Sequence, residues 1–288
     1  MIKNYSILNS KEKKLICKFI ARSNGKNISI DEVDNIFRKK IYDYGKGAIF
    51  YFHKEKVVAK IGIVLEVVKE LGTVYIHDLD VIEDLEDNAS MIKKLINNAI
   101  SIGNIYGASE ILLGERNLEK LKVLESIGYS KTYSAINMYL EKQEKRNSCL
   151  ELVLLTSDNK LEYLNVFNDS FSDMPHGTFA YIEDIDGYIS SSDGFNYYFL
   201  VQNEKENIGF LNCRIIGKEG SFDIGLCKKY RGRGFGKQLL ETAIDFLDKK
   251  EVLKVKLIVI ERNTIAYNMY KKRGFKEESI LSHWIKIK

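Results

Sequence analysis

The chain has 288 residues, of which 45% are hydrophobic and 29% charged, a balance typical of a globular protein rather than a disordered one. Its net charge of +4 is too small over this length to predict a nucleic-acid partner. No apolar segment approaches the roughly 20 residues that span a bilayer, and the first residues do not resemble an export signal, so we expect a cytoplasmic protein with no membrane partner.

The cysteines and histidines do not form a recognisable metal pattern. Cys17, Cys149, Cys213 and Cys227 are widely spaced, without the close pairs of a zinc site or a redox disulfide, and the four histidines are scattered. We therefore expect no bound metal.

The chain contains a repeat with an offset of 146 residues. Glu115-Arg116-Asn117 recurs as Glu261-Arg262-Asn263, and a helical pattern follows each copy and ends at Gly128 or Gly274. In each half, helices precede a meander of strands, and then a helix, a strand, a helix and a final strand follow. The predicted strands include 48–53, 57–68, 73–82 and 134–140 in the first half, and 195–202, 208–216, 221–227 and 282–287 in the second.

This order predicts an α/β fold with α+β layers, built from two tandem domains. Each domain would contain a mixed, mostly antiparallel central sheet flanked by helices. The polar segment 141–148 is predicted to be a linker, which places the domains at 1–145 and 150–288.

A glycine-rich turn follows a predicted strand in the second half. Its residues are Arg231, Gly232, Arg233, Gly234, Phe235 and Gly236, and they open a helix with one apolar face. Alternating glycines allow main-chain amides to point at an anion where the helix dipole also favours negative charge. Five cations, Lys228, Lys229, Arg231, Arg233 and Lys237, surround the turn. The turn predicts a pyrophosphate site, and the motifs of P-loop triphosphatases and of dinucleotide-binding dehydrogenases are absent.

This turn, with an Asn at the next helix start and a Tyr near its end, resembles the GNAT superfamily of acyl-CoA-dependent N-acyltransferases. The resemblance is strong over 220–275, looser over 150–288 and weak over the first half, so the chain is similar to a tandem GNAT protein. It implies that the amides of 231–236 hold the pyrophosphate of acetyl-CoA. Leu226, Cys227 and Lys228 at the strand end, and Lys237 on the helix, are further implied coenzyme contacts, although a buried Cys227 is also typical of a core.

Asn263 and Tyr270 are the two polar candidates on the last helix. They are seven residues apart, so they project from one side of it. Acyl transfer to an amine needs an acid for the departing thiolate, which a buried phenol can supply. Asn is also a common helix N-cap, and a Tyr before a glycine often packs in a core. The resemblance favours Tyr270 as the general acid and Asn263 as a coenzyme contact.

The general base and the acceptor side are less defined. Asp223 and Glu219 are candidate bases, and Glu183 and His176 are candidates beside the acceptor. Residues 158–193 contain eight acids and one lysine, which predicts a cationic acceptor or, alternatively, two solvated helix faces. The loop 172–178 could close over the acceptor or form a surface turn.

The first half lacks the features of a coenzyme site. Residues 80–88 contain five acids but no glycine or cation, and the 146-residue offset places Leu124 where Tyr270 stands. We therefore expect a degenerate, non-catalytic first domain and an acetyl-CoA-dependent N-acetyltransferase in the second, acting on a small-molecule or protein amine. A non-catalytic acyl-CoA-binding regulator and an aminoacyl-transferring relative remain alternatives, as do a monomer and a homodimer.

Overall fold

The computed structural model describes residues 1–82, 88–141 and 150–288. The chain divides into two compact units, unit 1 (Met1–Tyr133 with Ser282–Lys288) and unit 2 (Ser134–Leu281). These units differ from the predicted domains of 1–145 and 150–288, because residues 135–141 pair with β11 in unit 2 and residues 283–286 pair with β5 in unit 1. The predicted linker at 141–148 lies, apart from Glu141, outside the described residues.

Unit 1 contains a six-stranded sheet with helices. Its elements are β1 (Ile2–Asn4), α1 (Ser10–Asn24), α2 (Ile30–Phe37), β2 (Ala48–His53), β3 (Lys56–Val64), α3 (Val68–Leu71), β4 (Thr73–Val81), α4 (Asn88–Ile105), β5 (Glu110–Glu115) and α5 (Leu118–Ser126). The strands follow the order β1-β2-β3-β4-β5 and end with residues 283–286, which pair with β5. The β4–β5 pair is parallel, and the other pairs are antiparallel.

Unit 2 repeats this plan. Its elements are β6 (Tyr133–Glu141), β7 (Glu151–Leu154), α6 (Lys160–Phe171), α7 (Ile182–Ser190), β8 (Asn196–Asn203), β9 (Glu206–Ile216), β10 (Glu219–Leu226), α8 (Phe235–Lys249), β11 (Lys254–Ile260), α9 (Thr264–Arg273) and β12 (Lys276–Lys286). The strand order is β7-β8-β9-β10-β11-β6, followed by the first part of β12. The β10–β11 pair is parallel and the β7–β8, β8–β9, β9–β10 and β11–β6 pairs are antiparallel, so the predicted mixed sheet is confirmed.

The 146-residue repeat is visible in the helix caps. Asn117 accepts the amides of Glu119 and Lys120 through Oδ1, at 2.9 and 3.0 Å, at the start of α5. Asn263 accepts the amide of Ala266 at 3.2 Å at the start of α9. In both units the cap satisfies amides that a helix start leaves without an intrahelical acceptor.

Strands β10 and β11 diverge, and this divergence positions the site. They pair only from Glu219 to Ser221, although β10 continues to Leu226 and β11 continues along β6 to Ile260. Cys227 donates its amide to Ile208 on the β9 side at 2.9 Å. Along an antiparallel ladder, the N–H and C=O groups of successive residues point alternately toward and away from the partner strand. The main-chain groups of Phe222, Ile224 and Leu226 therefore point away from β9, toward the edge of β10 where pairing with β11 has ended.

Helix α8 packs on this sheet through the apolar face that the sequence predicted. Leu239, Leu240, Ala243 and Leu247 are buried in the core of unit 2. The helix start, and with it the glycine-rich turn, is thereby fixed at the carboxyl end of β10. In the part of the chain that the structure describes, no helix is both long enough and apolar enough to cross a membrane.

Candidate active site

The glycine-rich turn adopts a conformation that depends on its glycines. Gly232 has a φ of 75° and Gly234 a φ of 86°, which is the left-handed region that residues with a side chain rarely adopt. A Cβ atom at either position would meet no heavy atom within 4 Å. Backbone conformation rather than crowding therefore requires glycine here.

The amides of this turn have no protein acceptor. Across the described residues, none accepts a hydrogen bond from the amide of Gly232, Arg233, Gly234, Phe235 or Gly236. The adjacent amides are used, because Arg231 donates to Lys228 and Lys237 to Gly234, both at 3.2 Å. Five consecutive main-chain donors at the N-terminus of α8 are thus available to an anion, and the helix dipole would add to the attraction.

A cavity of about 850 Å³ adjoins the turn. Its lining comes from four segments of unit 2, within residues 170–178, 222–226, 231–239 and 258–272. The sequence-predicted residues that line it are Leu226, Arg231, Gly232, Gly234, Gly236, Lys237, Asn263, Tyr270, Asp223 and His176. The fold thus brings residues separated by up to about 95 positions to one space.

Tyr270 lies on α9 with its ring in the core and borders the cavity. The side chain is buried, and its ring centroid lies 6.4 Å from that of Phe222 and 5.7 Å from that of Phe275. Burial and the nearby carboxyl of Asp223 raise the pKa of Tyr270 well above its usual range. The phenol therefore keeps its proton at neutral pH and can act as a donor.

Asp223 and His176 also line the cavity, and the pKa of each is shifted. Asp223 is open to the cavity but otherwise surrounded by protein, and this burial raises the pKa of its carboxyl. No described residue hydrogen-bonds to that carboxyl or forms an ion pair with it. Burial and the charge of Arg262 lower the pKa of His176 to about 4, so its imidazole is neutral at pH 7.

The predicted cations around the turn have different surroundings. Lys237 lines the cavity and Arg233 is exposed beside it, whereas Lys228 uses its amide to bind Asp169 at 2.8 Å. Arg231 points its guanidinium at Asp173, with bonds of 2.8 and 3.0 Å. This charge is paired with a carboxylate, and a contribution of the Arg231 side chain to polyphosphate binding stays a prediction.

The remaining predicted coenzyme contacts have structural partners as well. Cys227 is buried with its Sγ 4.0 Å from Ser170 Oγ, and Phe235 packs edge-on against Tyr230 at 6.0 Å. Asn263 caps α9 and also directs its amide nitrogen at the sulfur of Met174, at 3.8 Å. Its N-cap role and its place in the cavity lining are therefore compatible.

Two acidic candidates lie outside the cavity lining. Glu219 is at the far end of β10, where it pairs with Lys256 at 2.8 Å, and Glu183 is exposed in the first turn of α7. The acidic excess of 158–193 largely supports local structure. Asp186 pairs with Lys160, Asp184 caps α7, and Asp169 accepts the Lys228 amide. Among those eight acids, all in described positions, Asp173 is the one that lines the cavity.

The family resemblance implied main-chain hydrogen bonds to the coenzyme near Leu226, but sequence reasoning missed the open edge of β10 that extends back to Phe222, and it missed the contribution of Met174. The edge is invisible to local patterns, because it arises where the pairing with β11 stops. Met174 lies in the loop that was singled out for Pro175 and His176, but nothing in the sequence indicated its contact with Asn263.

The corresponding part of unit 1 differs. Leu124, at the position equivalent to Tyr270, is fully buried in the core of unit 1. Asp80 accepts hydrogen bonds from Ser23 at 3.0 Å and from Lys120 at 3.3 Å. The rest of the acidic segment, 83–87, lies outside the described residues.

Comparison with known proteins identifies a family model and relatives that are N-acetyltransferases. The model of the acetyltransferase (GNAT) family matches residues 157–275. The ribosomal protein bS18-alanine N-acetyltransferase of Haemophilus influenzae is 34% identical over 100 residues, which are 34% of this chain and 68% of that protein. An uncharacterized N-acetyltransferase of Methanocaldococcus jannaschii is 25% identical over 144 residues, so the match spans 43% of this chain and 64% of that relative's length.

The fold likeness extends over the whole chain. A tandem GNAT protein from the clavulanic acid biosynthesis pathway superposes with a TM-score of 0.54 at 10% identity, covering 99% of this chain and 97% of that one. At this identity the likeness concerns the fold alone.

Proposed function

Since the chain belongs to the GNAT family of acetyltransferases, we propose that it is an N-acetyltransferase that uses acetyl-CoA and transfers the acetyl group to a primary amine. The observation that carries this proposal is the run of five amides without a protein acceptor, from Gly232 to Gly236, beside a cavity that contains Tyr270 and Asp223. The amine would belong to a small molecule or to a protein.

The residues of the turn fit the pyrophosphate of acetyl-CoA. Consecutive amides at a helix N-terminus can donate to several phosphate oxygens, and Lys237 and Arg233, which form no ion pair with any described residue, add positive charge near the same place. The open edge of β10 offers the main-chain groups of Ile224 and the amide of Leu226 to the amide-containing arm of the coenzyme, whereas the Leu226 carbonyl already accepts from Arg231. Acetyl-CoA would supply an acetyl group activated as a thioester.

Tyr270 would act as the general acid. Its raised pKa keeps the proton on Oη at neutral pH, so the phenol can donate it to the departing sulfur. The aromatic contacts with Phe222 and Phe275 hold the ring in one orientation. Oη is therefore positioned before the reaction, and the tyrosine side chain loses no further conformational entropy in the transition state.

Asp223 would act as the general base. It shares the cavity with Tyr270, whereas Glu219 and Glu183 do not. A carboxylate with a raised pKa accepts a proton more readily than an ordinary one, which suits removal of a proton from an ammonium or from an intervening water. His176, neutral but weakly basic, would orient the amine as a hydrogen-bonding partner.

Unit 1 is proposed to be non-catalytic. The leucine at position 124 cannot donate a proton, and the sequence of the segment 80–88, with five acids and no glycine, would repel a phosphate. Its contribution would lie in binding a partner.

The test combines binding and turnover on the full chain. Titration calorimetry with coenzyme A should give a dissociation constant that the double substitution of Gly232 and Gly234 by alanine weakens. A panel of polyamines, aminoglycosides, amino acids and peptides with free N-termini should then release free thiol from acetyl-CoA. Coenzyme binding without turnover on any amine would favour a regulator instead, and binding of charged transfer RNA without coenzyme binding would favour an aminoacyl-transferring relative.

A further inference from the structure

The side chain of Arg231 connects the glycine-rich turn to the end of α6. Its Nε donates to the carbonyl of Leu226 at 3.1 Å, and Nη2 donates to the carbonyl of Ser170 at 2.9 Å. Nη1 and Nη2 together bind both carboxylate oxygens of Asp173. A planar guanidinium with several fixed acceptors holds one orientation, because its donors cannot be satisfied in another.

A second bond reinforces this connection. Asp169, in the last turn of α6, accepts the amide of Lys228 at 2.8 Å. The segment from Leu226 to Arg231 and the C-terminal end of α6 therefore share both a main-chain and a side-chain contact. The hydrogen bonds and charge of Arg231 also lower the pKa of Asp173, so this carboxylate stays ionised at neutral pH.

Asp173 begins a loop that lines the cavity. Residues 173–178 all contribute to the lining, and the loop meets α9 where Asn263 donates to Met174. The loop is tightly folded. A Cβ atom on Gly177 would lie 2.8 Å from the carbonyl oxygen of Phe171, and His176 has a φ of 61°. A shift of Asp173 would therefore displace the rest of the loop rather than be absorbed within it.

We propose that Arg231 is a positioning residue that couples the pyrophosphate turn to the loop 173–178 on the acceptor side of the cavity. This inference rests on the proposed function. The residue immediately after Arg231 is Gly232, the first of the amides without an acceptor. An anion that fixes the turn also fixes the backbone of Arg231, and through Asp173 it fixes the loop. Such coupling is reciprocal, so an ordered loop also favours anion binding.

Hydrogen exchange on the full chain tests this coupling. ADP is the probe, since it carries a pyrophosphate but lacks the pantetheine arm that could touch the loop directly. Saturating ADP should slow amide exchange at 232–236 and, about fivefold or more, at 172–178. In Arg231→Gln and in Asp173→Asn, the slowing at 232–236 should persist and the slowing at 172–178 should disappear.

Asp186→Asn is the matched control, because it also removes one carboxylate charge from an ion pair with a basic residue, Lys160 at 2.7 Å, away from the turn. It should retain both effects of ADP. Two results would overturn the coupling alone. In one, ADP still slows exchange at 172–178 in Arg231→Gln and Asp173→Asn. In the other, ADP protects 232–236 of the unmodified chain but leaves exchange at 172–178 unchanged. Absence of any protection at 232–236 by ADP or coenzyme A would instead overturn the proposed function.

Discussion

Substitution of Gly234 by alanine isolates the contribution of backbone conformation to anion binding. At this residue φ is 86° and a Cβ atom would meet nothing within 4 Å, so alanine introduces no clash. The cost is that of holding an L-residue in the left-handed region, about 1–2 kcal/mol. If the turn relaxes to relieve this cost, the amides of 232–236 no longer converge, and the same energy must be supplied on binding.

The expected result is a coenzyme A dissociation constant raised about 5- to 30-fold, which is this energy converted to affinity. Gly194 provides a matched control. It has the same φ of 86° and the same open space, but it precedes β8 and does not line the cavity. Gly194→Ala should carry a similar intrinsic strain and leave coenzyme affinity unchanged.

Calorimetric titration gives the affinities, and thermal unfolding shows whether the strain is retained. A turn that keeps its conformation would lose stability, at roughly 2–4 °C in Tm for each kcal/mol. If Gly234→Ala binds coenzyme A as tightly as the unmodified chain and its Tm is unchanged, the left-handed conformation of residue 234 carries no cost for alanine, and the expected loss of affinity is refuted.

Three further predictions concern side chains. Tyr270→Phe keeps the buried ring, so coenzyme affinity and Tm should persist while turnover falls about 10²- to 10⁴-fold, as steady-state thiol release would record. Burial raises the pKa of Asp223 above its unfolded value, so the folded chain loses stability as pH rises through that range. Asp223→Asn should abolish transfer, yet at pH 7 it should stabilise the fold by up to about 1 kcal/mol, because it removes a partly desolvated charge that water in the cavity screens in part. At a pH below the unfolded pKa of Asp223 the carboxyl is already neutral, so the substitution should not change stability. Melting curves at both pH values test this difference. Ile285→Ala truncates a fully buried side chain in the core of unit 1 and should lower the free energy of unfolding of this unit by about 2–5 kcal/mol. Amide exchange in β5 should become faster, whereas coenzyme binding by unit 2 should be retained.

Local patterns predicted the parts of the site that depend on local conformation. The glycine-rich turn, the cap at Asn263 and the buried Tyr270 all follow from short-range signals, and they line one cavity. The ion pair of Arg231 could not be predicted in this way, because its partner Asp173 lies 58 residues earlier in the chain and no spacing rule connects the two.

The strands show the same division between local and long-range information. The strand predicted at 134–140 agrees with β6 to within a residue, whereas the one predicted at 282–287 covers only the second part of β12, which begins at Lys276. Strand propensity also carries no information about the neighbouring strand. The sequence order therefore suggested that each half keeps its own closing strand, whereas the hydrogen bonds join 135–141 to β11 and 283–286 to β5.

This arrangement has a consequence for biosynthesis. While the polypeptide emerges from the ribosome, β5 has no neighbour on one side until residues 134–281 have also been translated, because its partner is 283–286. An unpaired edge of this kind recruits other chains. A gene fragment cut near codon 145 would expose the same edge permanently, so nascent or truncated forms should depend on chaperones to avoid aggregation.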